Sequence, residues 1–91
     1  QDIKIISAFY GLVVGFQTRN KPKDSPPILI VVYQEQTIGI HLQTAAISFG
    51  ELPQPKQVLV NAWIEIHREE LLVNWQTGYQ RGEFFAIEPL R

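Results

Sequence analysis

The sequence PPILIVVY, residues 26–33, places six apolar residues after two prolines without a polar interruption. A strand with one face in water alternates polar and apolar residues. An unbroken apolar run is typical of a strand that is covered on both faces. The run therefore predicts a strand that begins at Ile28 and excludes water from both sides. A second layer of the same chain can cover one face. The long preceding loop, the C-terminal segment or a second copy of the protein must cover the other.

Residues 9–16, FYGLVVGF, are rich in aromatic and branched side chains and predict another strand, and IKII ahead of it could be the first residues of a strand. Glycines inside a strand often mark a bulge or a close neighbouring backbone, which we expect at Gly11 and Gly15. Residues 17–27 contain three prolines and three positive charges, so they predict an exposed loop between the two strands.

Residues 37–42, TIGIHL, alternate, with Ile38, Ile40 and Leu42 on one face, which is the period of a strand with one wet side. Residues 45–49, AAISF, predict its hairpin partner. The following GELPQP segment ends the sheet because its prolines cannot donate to a ladder, and it leads into a helix.

The period of the apolar residues changes to that of a helix after Lys56. One predicted helical face comprises Leu59, Ala62, Trp63 and Ile66, widened by Val60 and Ile64. A second comprises Leu71, Leu72, Trp75 and Tyr79. His67 lies between them and predicts a junction between two helices or a bend in one. Gly82 is a stop signal, and residues 84–89 predict a last short strand or an extended tail that packs back.

Strands first and helices second indicate the α+β class. We expect a single domain over residues 1–91. Its small antiparallel sheet of three to five strands in the N-terminal half packs against a C-terminal pair of helices, followed by a short extended segment. Because the chain opens at Gln1, we also expect that a few native residues precede it.

Composition excludes several classes of protein. The net charge of −1 does not supply the basic face of a nucleic-acid binder, although a local patch remains compatible with it. The chain has no cysteine, which removes disulfides and thiol chemistry and fits a cytoplasmic protein. No apolar run approaches the roughly 20 residues of a membrane span, so we expect no membrane partner.

The search for chemistry leaves few candidates. The serines lack a nucleophile-elbow pattern, and neither a phosphate loop nor a dinucleotide fingerprint is present. His67 and Glu70 share a helix face and could supply two metal ligands, but a solvated helix-end role is the more common one. His41 lies on the polar face of a predicted strand, where a solvated histidine is likewise more common than a metal ligand. We therefore predict no catalytic residue, no metal and no cofactor, and an enzymatic activity is not indicated.

The basic loop is the first candidate binding site. Arg19, Lys21 and Lys23 fall within five residues. Loops carried on a rigid sheet often bind ligands, and an anion, a nucleic-acid backbone or an acidic protein would suit these charges. Charge on a polar loop also serves solubility alone, so both interpretations stay open.

Four segments carry a resemblance to a known family: ISAFYGLVV at 6–14, GELP at 50–53, AWIEIHREELLVNW at 62–75, and IEP at 87–89. Together they resemble the bacterial domain-of-unknown-function family numbered 4160, over nearly the whole chain. Members usually carry Pro-Pro-His-Phe-His-Val where this chain has residues 26–31. Ile28 and Ile30 replace the two histidines, which implies that chemistry performed by imidazole in relatives is not performed here.

These observations favour a non-enzymatic binding or assembly module, expected to be a homodimer that uses Ile28 and Ile30 for contact. The alternative is a toxin–antitoxin-type component that acts on RNA or on a partner protein, because small members of the family resemble the cargo of mobile elements. A third hypothesis is a degenerate enzyme, which predicts an apolar cleft at the two isoleucines.

Overall fold

The computed structural model describes residues 3–17 and 27–90. Five strands precede one helix along the chain: β1 (Ile3–Phe9), β2 (Leu12–Gln17), β3 (Ile28–Tyr33), β4 (Gln36–His41), β5 (Ile47–Phe49) and α1 (Gln54–Arg81). The strands form one sheet in the order β1-β2-β3-β4-β5, and each pairs antiparallel with the next. The predicted α+β order, with an antiparallel sheet first, is confirmed.

The prediction of one strand over residues 9–16 is wrong, because a tight turn interrupts it. Tyr10 and Gly11 both have positive φ, 51° and 79°. Two residues with positive φ reverse the chain in a way that matches the right-handed twist of the flanking strands. Gln34 and Glu35 close the β3–β4 hairpin in the same manner, with φ of 48° and 68°. Gly11 was therefore a turn residue and not a bulge.

The buried face predicted for the fourth strand is confirmed, because Ile38, Ile40 and Leu42 are fully buried. The wet side is not confirmed, since Gly39 is buried and Thr37 and His41 are half-buried. The hairpin partner after them is shorter than predicted, because only residues 47–49 of the 45–49 segment pair with β4.

The predicted pair of helices is not confirmed, because α1 runs over 28 residues as one helix, but the junction or bend predicted at His67 is present as a kink within it. His67 has φ −112° and ψ 17°, so the helix bends there without ending. One residue outside the helical region kinks the hydrogen-bond ladder locally, while the apolar residues on both sides still reach the same core. Gly82 ends the helix as predicted: its φ is 75° and its N–H donates to the Gly78 carbonyl at 2.7 Å.

The buried side of α1 agrees with the predicted one only in part. Val60, Trp63, Ile64 and Leu71 are buried as predicted, whereas Ala62 is exposed and Ile66 is 66% exposed. The residues that α1 does bury are Val60, Trp63, Ile64, Leu71, Asn74 and Gly78. Because apolar residues occur on two sides of this helix, their spacing alone does not decide which side meets the sheet.

The core lies between α1 and one face of the sheet. Its sheet side includes Val14, Phe16, Leu29 and Val31. Residues 83–90, the C-terminal segment, pack back onto this layer as an irregular tail: the Ile87 N–H donates to the Ile6 carbonyl at 2.9 Å. Two further contacts fix the segment. The Trp63 Nε1–H donates to the Glu88 carbonyl at 2.8 Å, and the Phe84 ring stacks on Phe16 with centroids 5.4 Å apart.

Candidate functional site

The side of the sheet that points away from α1, here called the outer face, is mostly apolar. Register places Val13 beside Val32, and Ile28 beside His41, on this side. Its apolar members are Ile3, Ile5, Val13, Ile28, Ile30, Val32 and Phe49. Thr37 and His41 are its polar members in β4. The outer face thus extends the apolar character of β3 across the neighbouring strands.

Ile30 is buried on the outer face, with 6% of its surface exposed. Its register neighbours on the two sides are Gly15 and Gly39. A Cβ on Gly39 would overlap the ring of Phe49, and one on Gly15 would overlap the backbone of Lys4 in β1. Because both neighbours are glycines, the Phe49 ring lies close to Gly39 and the β1 backbone lies close to Gly15. These two groups shield Ile30 from water.

The expectation that water is excluded from both sides of β3 is confirmed for its central residues. Leu29 and Val31 are fully buried against the core, and Ile30 is shielded on the outer face. The expectation is wrong for Ile28 and Val32, which remain half-buried. The C-terminal segment does not cover them, because its contacts are with α1, β1 and the core.

A shallow cavity of about 320 Å³ opens on the outer face, and apolar side chains of β1, β2 and β3 line it. They are Ile3, Ile5, Val13 and Val32. Within this lining Ile5 is 57% exposed, and in β5, at the opposite edge of the outer face, Phe49 is 48% exposed. Aliphatic walls bind apolar groups but cannot transfer a proton, hold a cation or stabilise an anion.

The structure places the predicted site residues unequally. Ile28 and Ile30 lie two residues apart on the outer face. Arg19, Lys21 and Lys23 lie outside the described residues. Binding of an anion or of RNA at the basic loop, and with it the RNA-directed alternative, therefore stays a prediction.

The two histidines lie on different elements. His41 belongs to the outer face. His67 accepts or donates a hydrogen bond at 2.8 Å between its Nδ1 and Glu70 Oε1, and its ring lies 5.5 Å from that of Trp63. Residues 3–17 and 27–90 contain no group of three or more His, Asp or Glu side chains placed to hold a metal ion.

Several structural side chains were missed by sequence reasoning. Asn74 is fully buried and makes two hydrogen bonds to the backbone of Phe85. The feature of the sequence that could have indicated its role is a single amide residue among the apolar residues of the helix. Lys56 Nζ donates to the Tyr10 carbonyl at 2.8 Å, and Arg68 Nε donates to the Leu42 carbonyl at 2.9 Å, so these cations brace the turns at opposite ends of the sheet.

Tyr79 joins α1 to the end of β2. Its hydroxyl donates to the Gln17 carbonyl, and burial raises the pKa of this hydroxyl above the ordinary tyrosine value of 10.0. The phenol therefore stays protonated and keeps its donor role to higher pH than an exposed tyrosine.

A family model described as "Domain of unknown function (DUF4160)" matches residues 11–76. The chain belongs to the DUF4160 family. The match spans β2 to β5 and most of α1, and the resemblance read from the sequence is confirmed. No curated protein and no solved structure matches the chain. The DUF4160 model thus includes four of the five strands that form the outer face, while β1 and the C-terminal segment lie beyond it. Among the described residues, no helix is long and apolar enough to cross a membrane.

Proposed function

We propose that this DUF4160 protein is a non-enzymatic binding module whose outer face joins two copies into a homodimer. The observation that carries the proposal is the exposure of large apolar side chains on a sheet face, above all Ile5 and Phe49. Exposed apolar patches of this kind mark interaction sites in soluble proteins. The lining of the cavity supports a contact role, because it offers aliphatic groups alone.

A second copy fits this surface better than a charged ligand does. The described residues of the outer face include no Lys, Arg, Asp or Glu, so two copies related by a two-fold axis meet without such charges opposed. Sheets pack face to face at about 10 Å through interdigitated side chains. Each apolar Å² removed from water contributes roughly 25 cal/mol, which favours association.

The size of the outer face predicts a weak dimer. The first four strands are about 20 Å long and the three-residue β5 is about 10 Å long, so at a spacing of about 4.8 Å they give a face of roughly 400 Å² per copy. Two copies would bury about 800 Å², which is below the roughly 1,200 Å² of stable complexes and falls in the transient class. We therefore expect a dissociation constant above about 1 μM.

Sedimentation equilibrium or light scattering from about 10 μM to several hundred μM tests the proposal. Wild-type protein should shift toward the dimer mass, and Ile5→Lys should remain a monomer because it places a charge in the interface. Ile66→Lys is the matched control, since Ile66 is similarly exposed but lies on α1. It should dimerise like the wild type. A wild-type monomer at high micromolar concentration would overturn the proposal.

A further inference from the structure

The solvent side of α1 carries a second apolar surface, far from the outer face. Val58, Ile66 and Val73 are each more than half exposed, and Ala62 is exposed between the first two. Their spacings of four, four and seven residues place them on one side of a helix, close to the repeat of a coiled-coil seam. This line, here called the helix face, is about 22 Å long at 1.5 Å per residue.

Acidic side chains flank the helix face near the bend at His67. At 100° per residue, Glu65 lies on one side of the apolar line and Glu70 lies on the other, while Glu69 lies within the line, between Ile66 and Val73. A hollow of about 440 Å³ opens among these three glutamates, Ile66 and Leu72, with Arg68 at its edge. Arg68 is held by Glu65 at 2.7 Å and by the Leu42 carbonyl. The rim of the helix face is therefore negative on balance.

We propose that the helix face docks an amphipathic helix of a different protein, one whose apolar stripe is flanked by lysine or arginine. Helices recognise one another by laying one apolar line against another, with flanking charges that set the partner and the orientation. Basic flanks would lie opposite Glu65, Glu69 and Glu70. Complementary charges raise the association rate and exclude wrong partners.

A second copy of the chain does not suit the helix face. Antiparallel pairing about Ile66 would set Glu65 and Glu69 against the same glutamates of the other copy. Like charges at such positions destabilise the pairing, whereas a basic helix converts each repulsion into an attraction. The two surfaces thus suit different partners. The outer face suits self-association, and the acidic helix face suits a basic partner.

This inference does not depend on the homodimer, because the two surfaces share no residue. The monomeric Ile5→Lys variant should dock the basic helix as the wild type does. A failure of dimerisation and a failure of helix docking are therefore separate results.

Fluorescence anisotropy with a labelled 18-residue peptide tests the proposal. The peptide carries leucines at coiled-coil spacing and lysines beside them; a second peptide carries glutamates in place of the lysines. We expect the lysine peptide to bind the full chain more tightly than the glutamate peptide. We also expect binding to weaken between low and high salt, since salt screens exposed charges.

Variants locate the site. Glu65→Gln combined with Glu69→Gln should weaken binding of the lysine peptide roughly two- to thirtyfold, because it removes two exposed carboxylates, Glu69 and the Glu65 that also pairs with Arg68 of this chain. Ile66→Lys should abolish it. Glu35→Gln, an exposed glutamate in the β3–β4 turn, is the matched control and should bind like the wild type. Equal binding of the two peptides, unchanged binding by the double variant, or no binding of the lysine peptide up to about 1 mM would overturn the proposal.

Discussion

Asn74 ties the C-terminal segment to α1, and its replacement by alanine tests how much this tie stabilises the fold. The fully buried amide donates from Nδ2 to the Phe85 carbonyl at 2.7 Å and accepts from the Phe85 N–H at 3.0 Å. Asn74→Ala removes both hydrogen bonds, each worth about 1 kcal/mol net, and leaves two backbone groups of Phe85 without that partner. The expected loss in the free energy of unfolding is about 2–3 kcal/mol. Water that reaches the exposed Phe85 replaces part of the lost hydrogen bonding and limits the loss to this size.

Urea and thermal denaturation, followed by circular dichroism and tryptophan fluorescence, measure this loss. A change of 2–3 kcal/mol corresponds to a fall in Tm of roughly 10–20 °C for a domain of this size. Asn61→Ala is the matched control on the same helix, because the buried Oδ1 of Asn61 has no hydrogen-bond partner among the described residues. It should leave stability unchanged or slightly raised. If the free energies of unfolding of Asn74→Ala and Asn61→Ala differ by less than about 0.5 kcal/mol, the hydrogen bonds between Asn74 and Phe85 do not hold the C-terminal segment.

Three further changes address other contacts. Below pH 10 Tyr79 is protonated in both the folded and the unfolded chain. Between pH 10 and the raised pKa of Tyr79 in the folded chain, the unfolded chain binds fewer protons, so the free energy of unfolding should fall as pH rises. In urea denaturation at pH 9 and pH 11, Tyr79→Phe should show a smaller fall than the wild type. Gly15→Ala should cost about 2–3 kcal/mol because its Cβ meets the β1 backbone, whereas Gly39→Ala should cost less because its Cβ meets an exposed ring that can move; equal costs in denaturant would contradict this. Ser7→Ala should raise the free energy of unfolding by up to about 1 kcal/mol, since the buried hydroxyl has no partner among the described residues, and a loss of stability would show that it does have one.

The order of elements and the nature of β3 could be predicted because both depend on local pattern. Ile38, Ile40 and Leu42 alternate and predicted the buried face of β4, and the unbroken run from Ile28 predicted the buried centre of β3 at Leu29, Ile30 and Val31. The prolines at 53 and 55 and the glycine at 82 marked the ends of the helix through backbone geometry that few other residues share.

The β1–β2 turn and the number of helices could not be predicted in the same way. Tyr10 adopts positive φ although this residue type does not favour it, so the usual Asn-Gly or Asp-Gly signal was absent. His67 bends α1 but has neither the missing N–H of proline nor the freedom of glycine. The choice between a bend and a break was decided by packing on both sides of this residue, which sequence spacing does not show.

The composition of the outer face depends on tertiary features. A register shift between Ile5 and Ser7 turns Ile5 outward, while Ile6 and Ser7 are buried, and alternation alone would have assigned these faces differently. The ring of Phe49 reaches over Gly39 from the next strand. The sequence predicted Ile28 and Ile30 as contact residues because the apolar run that contains them is continuous. It did not predict the exposed Ile5 of β1, which extends the outer face.

Isoleucine-methyl NMR over a dilution series, from about 1 mM to about 10 μM, tests the self-association of the outer face most directly, since a transient dimer exchanges over this range. We predict that the methyl signals of Ile5 and Ile28 move with concentration and that those of Ile64 in the core and Ile66 on the helix face stay fixed. Signals of Ile5 and Ile28 that do not change across the series, or a shift confined to Ile66, would contradict the account.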